Sequence, residues 1–518
     1  MKKYIAFVLS ILFSYTLSAQ VLTDSTWVDN TGSKMHLQQV GGTDSLVVRA
    51  KKPWKGIVEI IGINASVLAW DSFLYDRPWA KISKNSLKTN MSCGWTWDDD
   101  SFSGNQFSHP YHGSLFYNSA RENGMSYGQS MLYPLFGSAI WELFCENNKP
   151  AINDVFSTGI GGSAIGEATH RASDLVFDNS KRGAARVVRE LVGTALNPVR
   201  GLQRMISGDM FLVDHQGKGK RISPEPYHFE LGIGDRWIAE DGIHPDFDSK
   251  YNSNIPALDF YLDYGDHFNK IDGGKSHAFD KFELYGLLNI ASKNPTFGVL
   301  EINGRIASSQ HSTPSGWDLD WGFYQNYKYV EDYWKDGELR GGNLPVISEA
   351  ASFGGALYAQ KEGKTTTLSN MLMLSAVPMG CSTADYYTSP KNFGIDELPD
   401  GTDVGKRKYN YGSGFSIREN LTAHLNKRIT LGDRFYLLQL YIFNGYDPKN
   451  PVVHHNSVMG DKGNALTVTN TLFAHVNLTQ SLKLKVEYMN YLRKGVYDYY
   501  PNHTGKSHEL KTTLAYSM

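Results

Sequence analysis

The feature that most constrains the fold is an alternation of apolar and polar side chains that begins near residue 220 and runs to the last residue. Leu258, Phe260, Leu262 and Tyr264 fall on one side of an extended chain, and Asp259, Tyr261, Asp263 and Gly265 on the other. Trp317, Leu319, Trp321 and Phe323 oppose Asp318, Asp320, Gly322 and Tyr324. Leu482, Leu484, Val486 and Tyr488 oppose Lys483, Lys485, Glu487 and Met489. A period of two places alternate side chains on opposite faces of a strand. One face suits lipid and the other water, as in a transmembrane barrel wall. A soluble β-sandwich gives the same alternation, but many of these segments have the roughly 9 to 11 residues that a membrane-crossing strand needs.

Twelve such segments can be read: 227–237, 256–265, 281–291, 297–307, 317–329, 347–359, 365–377, 409–418, 433–444, 465–478, 481–493 and 506–518. The even number suits a single-chain bacterial barrel. If a periplasmic domain precedes the first strand, odd-numbered connections are extracellular and longer. Connections 1, 5, 7, 9 and 11 are long, and 6 and 10 are short. Connection 2 is too long for this rule and connection 3 too short, which a miscounted strand would explain. At the end of the chain Leu510, Thr512, Leu514, Tyr516 and Met518 alternate to the final residue. That is the pattern of the terminal strand recognised by the outer-membrane assembly machinery, with Met518 where an aromatic residue is usual.

The first residues carry an export signal. Lys2 and Lys3 precede an apolar stretch from Tyr4 to Leu17, and Ser18, Ala19 and Gln20 supply a small-residue cleavage site. This is a secretory signal peptide in layout. Beyond it no apolar run is read as long enough for a transmembrane helix, so any passage through a membrane is expected to use strands. The expected class is α+β: a signal peptide over 1–19, a helical domain over 20–220, and an antiparallel, about 12-stranded transmembrane β-barrel over 221–518. A formal net charge of -2 gives no electrostatic case for binding nucleic acid. Three cysteines, Cys93, Cys145 and Cys381, are too few for a disulfide scaffold and too scattered for a cysteine zinc site. The expected location is the outer membrane of a Gram-negative bacterium, with its lipids and assembly machinery as partners.

Before residue 220 apolar residues recur at helical spacing. Helices are expected from Pro53 to about Leu74, from His109-Pro110 to Glu122, from about Ser126 to Cys145 with a kink at Pro134, from an N-cap at Asn153, and from about Arg182 to Ile206 with a break at Asn197-Pro198. Trp97-Asp98, Asn105-Gln106-Phe107, His109-Pro110, His112-Gly113, Tyr117 and Arg121 stand in series. Trp141-Glu142, Asn153-Asp154, Gly166-Glu167 and Asn197-Pro198-Val199-Arg200-Gly201 follow. Over about residues 95 to 205 this series resembles the bacterial family called domain of unknown function 3943. The resemblance implies an exported protein of Gram-negative bacteria and no particular reaction.

Candidate chemistry centres on His109 and His112. On a helix they share a face with Asn105, and a His pair at i and i+3 binds a metal if Glu142, Asp154 or Glu167 adds a ligand. Either histidine also suits a general base whose tautomer a carboxylate fixes. Asp98 and Asp99 are within reach in sequence. The plainer reading is that these groups hydrogen-bond between packed helices. Gly159, Gly162, Ser163 and Gly166 form a small-residue face for close helix approach, and Glu167 and Arg171 are spaced to pair. Arg182, Arg186 and Arg189, with Arg200 and Arg204 beyond, make a basic stripe read either as a solvated face or as a contact for anionic headgroups. Asp259, Asp263, Glu283, Glu301, Arg305, Asp318, Asp320, Arg418 and Glu487 should face the lumen, where their mixed signs favour bridging. A helix from the N-terminal half would fit such a lumen.

Three functions are consistent with the sequence, which leaves any metal or cofactor open. The first is an outer-membrane barrel with a periplasmic or lumen-plugging helical domain, serving transport or envelope organisation. The second is an envelope lipid or glycan hydrolase built on His109, His112 and a carboxylate. The third is a surface-binding protein acting through long loops at 330–346, 378–408 and 445–464.

Overall fold

The computed structural model describes residues 38–40, 44–46, 51–97, 100–213, 225–240, 252–268, 277–290, 297–331, 345–385, 409–426, 428–442, 462–499 and 501–518. The export signal, Asp98, Asp99 and most of the three long loops lie outside them. The chain forms two compact units. One is helical, and the other joins residues 225–518 to a short stretch from the N-terminal half, Asp99–Phe107.

After a small hairpin, β1 (Gln38–Val40) and β2 (Asp44–Leu46), the helical unit runs through nine α-helices among the described residues. They are α1 (Pro53–Ala69), α2 (Lys84–Ser92), α3 (His109–Glu122), α4 (Tyr127–Ser130), α5 (Leu132–Phe144), α6 (Ile152–Phe156), α7 (Gly162–Val176), α8 (Gly183–Leu196) and α9 (Pro198–Ser207). α1 continues as a π-helical turn over Trp70–Leu74. The resulting helix has 22 residues, and its most apolar 18-residue window has a mean hydropathy of 1.5, long and apolar enough to cross a membrane. This corrects the expectation that no apolar run past the first residues reaches that length: Lys55 and Glu59 interrupt the run in sequence, but a helix carries both to its buried side. α3 and α7 approach closely at glycines, because a Cβ on Gly162 would lie 2.6 Å from the Gly113 Cα.

The second unit is a closed antiparallel barrel of twelve strands, each paired with its sequence neighbour. They are β3 (Tyr227–Glu240), β4 (Asn252–Tyr264), β5 (Phe282–Asn289), β6 (Phe297–Ser312), β7 (Asp318–Glu331), β8 (Val346–Glu362), β9 (Thr366–Thr383), β10 (Tyr409–Leu425), β11 (Ile429–Ile442), β12 (Gly463–Asn477), β13 (Leu482–Tyr497) and β14 (His503–Ser517). Each coincides with one of the twelve alternating segments, so no strand is miscounted. β14 closes on β3, and Met518 exchanges both backbone hydrogen bonds with Phe229 at the seam. Closure leaves no unpaired edge. Leu231, Trp321, Phe323, Leu374, Tyr441 and Leu514 are among the large apolar side chains exposed on the outward face.

The lumen is lined by charged side chains that pair with one another along its wall. Arg418 on β10 reaches Glu349 on β8 at 2.8 Å and Glu301 on β6 at 3.5 Å, while Tyr436 on β11 donates to Glu349 at 2.7 Å. Lys485 on β13 and Lys511 on β14 both meet Asp259 on β4 at 3.3 Å. Glu487 takes Arg434 at 2.6 Å and Lys511 at 2.7 Å. Above this charged layer Ile347, Val377, Tyr436, Leu438, Leu440 and Tyr491 form an apolar cluster from four strands. At the end where the chain joins the barrel, the described parts of the over-long connection 2, residues 265–268 and 277–281, pack on strand residues. His267 stacks on Tyr358 at 3.7 Å, and Arg305 pairs with Asp280 and Asp320 at 2.9 and 2.7 Å. That use of connection 2 is the physical reason it departs from the loop-length rule. A cavity of about 530 Å³ remains among the charged groups.

Candidate functional site

Two constellations stand out, one in each unit. In the helical unit, His109 opens α3, Glu142 lies late in α5, and Asp154 lies in the first turn of α6. Each offers one ligand atom, and the three atoms lie within 4.8 Å of one another. His109 Nε2 is 3.9 Å from Asp154 Oδ2, and the His109 side chain keeps 19% exposure while Asp154 keeps 3%. The Ala151 N–H donates to Glu142 Oε2 at 2.8 Å, which ties the carboxylate to the start of α6. Asn153 Nδ2 holds Asp154 Oδ1 at 2.7 Å. A backbone bridge between Thr96 and Ala151 fixes the same corner. One imidazole and two carboxylates suit a divalent cation, which binds such donors at about 2.0–2.2 Å and would draw the three atoms closer together.

The structure brings together His109, Glu142 and Asp154 but places His112 and Glu167 elsewhere. His112 lies between the Phe116 ring at 4.5 Å and the Trp141 ring at 5.3 Å. Its Nε2 is buried without a hydrogen-bond partner among the described residues. Burial, helped by the charge of His109, lowers its pKa to about 3, so the ring is neutral. Glu167 accepts from Arg121 Nε at 2.7 Å, Arg171 Nε at 2.9 Å and the Tyr117 hydroxyl at 2.8 Å. Burial alone would raise its carboxyl, but the two guanidinium groups overcome it and hold the group well below the carboxylate range. The pairing of Glu167 with Arg171 is the one their spacing suggests. In the basic stripe, Arg186 is buried, pairs with Glu190 at 2.9 Å and donates to the carbonyls of Asp178 and Asp209. Arg189 donates to the Val176 carbonyl at 3.0 Å, and Arg182 is exposed. Arg200 and Arg204 pair with Glu122 and Glu190.

The second constellation belongs to the barrel unit and was not foreseen from the sequence. Lys328 and Val330 on β7 line the lumen, so Tyr327 and Tyr329, which alternate with them, point outward. Tyr409 and Tyr411 share the outward side of β10 with exposed Phe415 and Leu421. These outward tyrosines are nevertheless buried, because residues 100–107 pack on them. Phe102 stacks on Tyr329 at 5.2 Å, and Phe107 meets Phe297 at 4.5 Å. Asn105 Nδ2 donates to the Tyr409 hydroxyl and Gln106 Nε2 to the Tyr411 hydroxyl, both at 2.9 Å. Ser348 Oγ donates to Gln106 Oε1 at 2.7 Å, and the Tyr327 hydroxyl donates to the Gln106 carbonyl. Asn105, Gln106 and Phe107 belong to the family-like series, which was the only sequence signal of their importance.

Residues 94–199 match the model of the family described as Domain of unknown function (DUF3943). The match falls where the series of motifs places it. No curated protein matches the chain. Among solved structures, the NanC porin is 11% identical, with a TM-score of 0.25, over 54% of this chain and 98% of its own. The toluene transporter TodX of Pseudomonas putida is 11% identical with a TM-score of 0.21, covering 57% and 90%. Omp33 of Acinetobacter baumannii is 6% identical with a TM-score of 0.19, covering 56% and 99%. At these values the likenesses say nothing about what this chain carries or binds.

Proposed function

We propose that this protein is an outer-membrane barrel that serves envelope organisation: a closed anchor for its helical unit rather than an open diffusion channel. The observation that carries this reading is the bridged lumen. Ion pairs join β6, β8 and β10 along one stretch of its wall and β4, β13 and β14 along another, an apolar cluster lies above them, and at the other end His267 and Arg305 are held among Tyr358, Asp280 and Asp320. A wide diffusion channel keeps a broad water-filled path, and these layers favour a narrowed one instead. The apolar outward face supports the membrane location, since only closed barrels and helices satisfy their backbone in lipid. The protein should fractionate with outer membranes, show heat-modifiable mobility, and leave sugar-loaded liposomes unswollen. Recovery in the soluble periplasmic fraction, or rapid swelling, would overturn the reading.

A second reading has its own observation. The convergence of His109, Glu142 and Asp154 favours a divalent-cation centre in the helical unit, as in an envelope hydrolase acting on lipid or glycan. In such a centre the cation would supply a Lewis acid, and these three residues would hold it. His112 lies apart from the three ligand atoms, between the Phe116 and Trp141 rings, and is not a member of this centre. The purified protein should contain a stoichiometric divalent cation that is lost in Asp154→Asn and kept in His112→Gln. A metal-free wild type with an unchanged lipid profile in Asp154→Asn cells would remove this reading.

A further inference from the structure

The helical unit is built with its polarity reversed. On α8 the exposed side chains are Ala184, Val187, Val188, Leu191, Val192 and Ala195, while Arg186, Glu190 and Gly193 are buried. On α1, Trp54, Ile57 and Ile61 are exposed, and the buried side includes Lys55, Glu59 and Asn64. On α5, Leu132, Phe136 and Phe144 are exposed, whereas Ser138 and Glu142 are buried. The interior between the helices is correspondingly polar. Glu122 joins His170 at 2.8 Å and Arg200 at 3.0 Å, and Glu167 joins two arginines. A helix on the surface of a water-soluble domain turns its charged face outward. Three helices here do the opposite.

We propose that these apolar faces of α1, α5 and α8 meet the acyl chains of a bilayer, so that the helical unit is itself lipid-embedded. The inference rests on the membrane reading of the barrel and extends it to the other unit. Three observations support acyl chains as the occupant. α1 with its π-helical turn has 22 residues, about 33 Å at 1.5 Å per residue, which matches the roughly 30 Å hydrocarbon thickness. Only 22% of its most apolar window is buried, so it is not a core helix. Lys55, Glu59, Glu142, Arg186 and Glu190 on these helices are buried, and Asp71 and Arg189 are half-buried, which leaves a largely uncharged exposed surface of the kind lipid accepts. Finally, residues 100–107, whose two ends continue into the helical unit, are bound to the outward side of the barrel wall, the side that faces lipid. Exposed apolar surface on this scale marks an interaction site.

The test uses the full chain in phospholipid vesicles, with nitroxide labels at single cysteines in a Cys93→Ser background, where Cys145 and Cys381 are buried. The face positions are Ile61→Cys, Phe136→Cys and Leu191→Cys. Lys88→Cys on α2 is the polar control, and Leu372→Cys, exposed on the outward face of β9, is the barrel control. The face labels should be open to oxygen and shielded from a water-soluble nickel chelate, as at Leu372, with Lys88 showing the reverse. Nickel access at the three face positions, with Leu372 still shielded, overturns the inference and leaves the barrel in the membrane. Nickel access at Leu372 as well means that the membrane reading itself has failed. Low access to both reagents at the face positions means protein covers them, a second copy for instance, and also overturns it.

Discussion

At the residue scale the account rests on a few close contacts. A Cβ on Gly113 would fall 2.0 Å from the Thr158 carbonyl oxygen, a backbone atom that cannot swing away. Gly113→Ala should therefore destabilise the helical unit by about 1–3 kcal/mol, the usual cost of overpacking, measured as a lower denaturant midpoint for its tryptophan signal. An unchanged midpoint would show that α3 and α7 are not so close. Gln106 is the other such residue. Truncating it to Ala removes its hydrogen bonds with the Tyr411 hydroxyl and Ser348, at about 0.5–1.5 kcal/mol each. Gln106→Ala should raise amide exchange over residues 100–107 and leave the heat-modifiable mobility of the barrel unchanged. Protection equal to wild type would mean that the segment does not depend on this side chain.

At the scale of elements, the strands were legible and the site was only partly so. Every strand has its own alternating pattern, because each must present one face to lipid and the other to the lumen. α3 and the α8–α9 pair were equally readable, since Pro110 opens one and Asn197-Pro198 divides the other. α2 was missed because KNSLKTNMS has no apolar periodicity; it is held instead by a Ser83 capping box and by Asn90, which donates to the Glu142 and Glu146 carbonyls. The expected third helix is divided at Met131, where the Ser126/Gln129 capping box starts a separate turn, α4. For the histidines, helical spacing put His109 and His112 on one face, but three residues fall about 60° short of a full turn, and that offset carries His112 against Trp141. The wall-bound segment was illegible because its partners lie hundreds of residues away. The junction of α3, α7 and α9 yields a pH prediction. Burial tends to raise the Glu122 carboxyl, but Arg200 and His170 overcome this and bring it from 4.5 down to about 2. Its stabilising contribution is therefore complete above about pH 4.5 and is lost as pH falls towards 2. The near-UV circular dichroism of the helical unit should weaken through that window in wild type. Glu122→Gln should be weaker throughout and flatter there, and a wild-type signal independent of pH down to 2 would contradict the assignment.

For the whole molecule, the two units follow one principle with opposite outcomes in sequence. The barrel buries its charge in the lumen and presents apolar strands outward, and the helical unit buries its charge between helices and exposes apolar faces. Both patterns suit a low-dielectric surrounding, where a buried charge must be paired. In the barrel those pairs also narrow the lumen, and the proposed closed anchor depends on that narrowing. The direct measurement is the current through the purified full-length protein in a planar bilayer at neutral pH. We expect insertion, judged by heat-modifiable protein recovered from the membrane, with no stable open-channel steps. Steady, uniform conductance steps from folded wild-type protein would contradict a closed anchor and establish a pore.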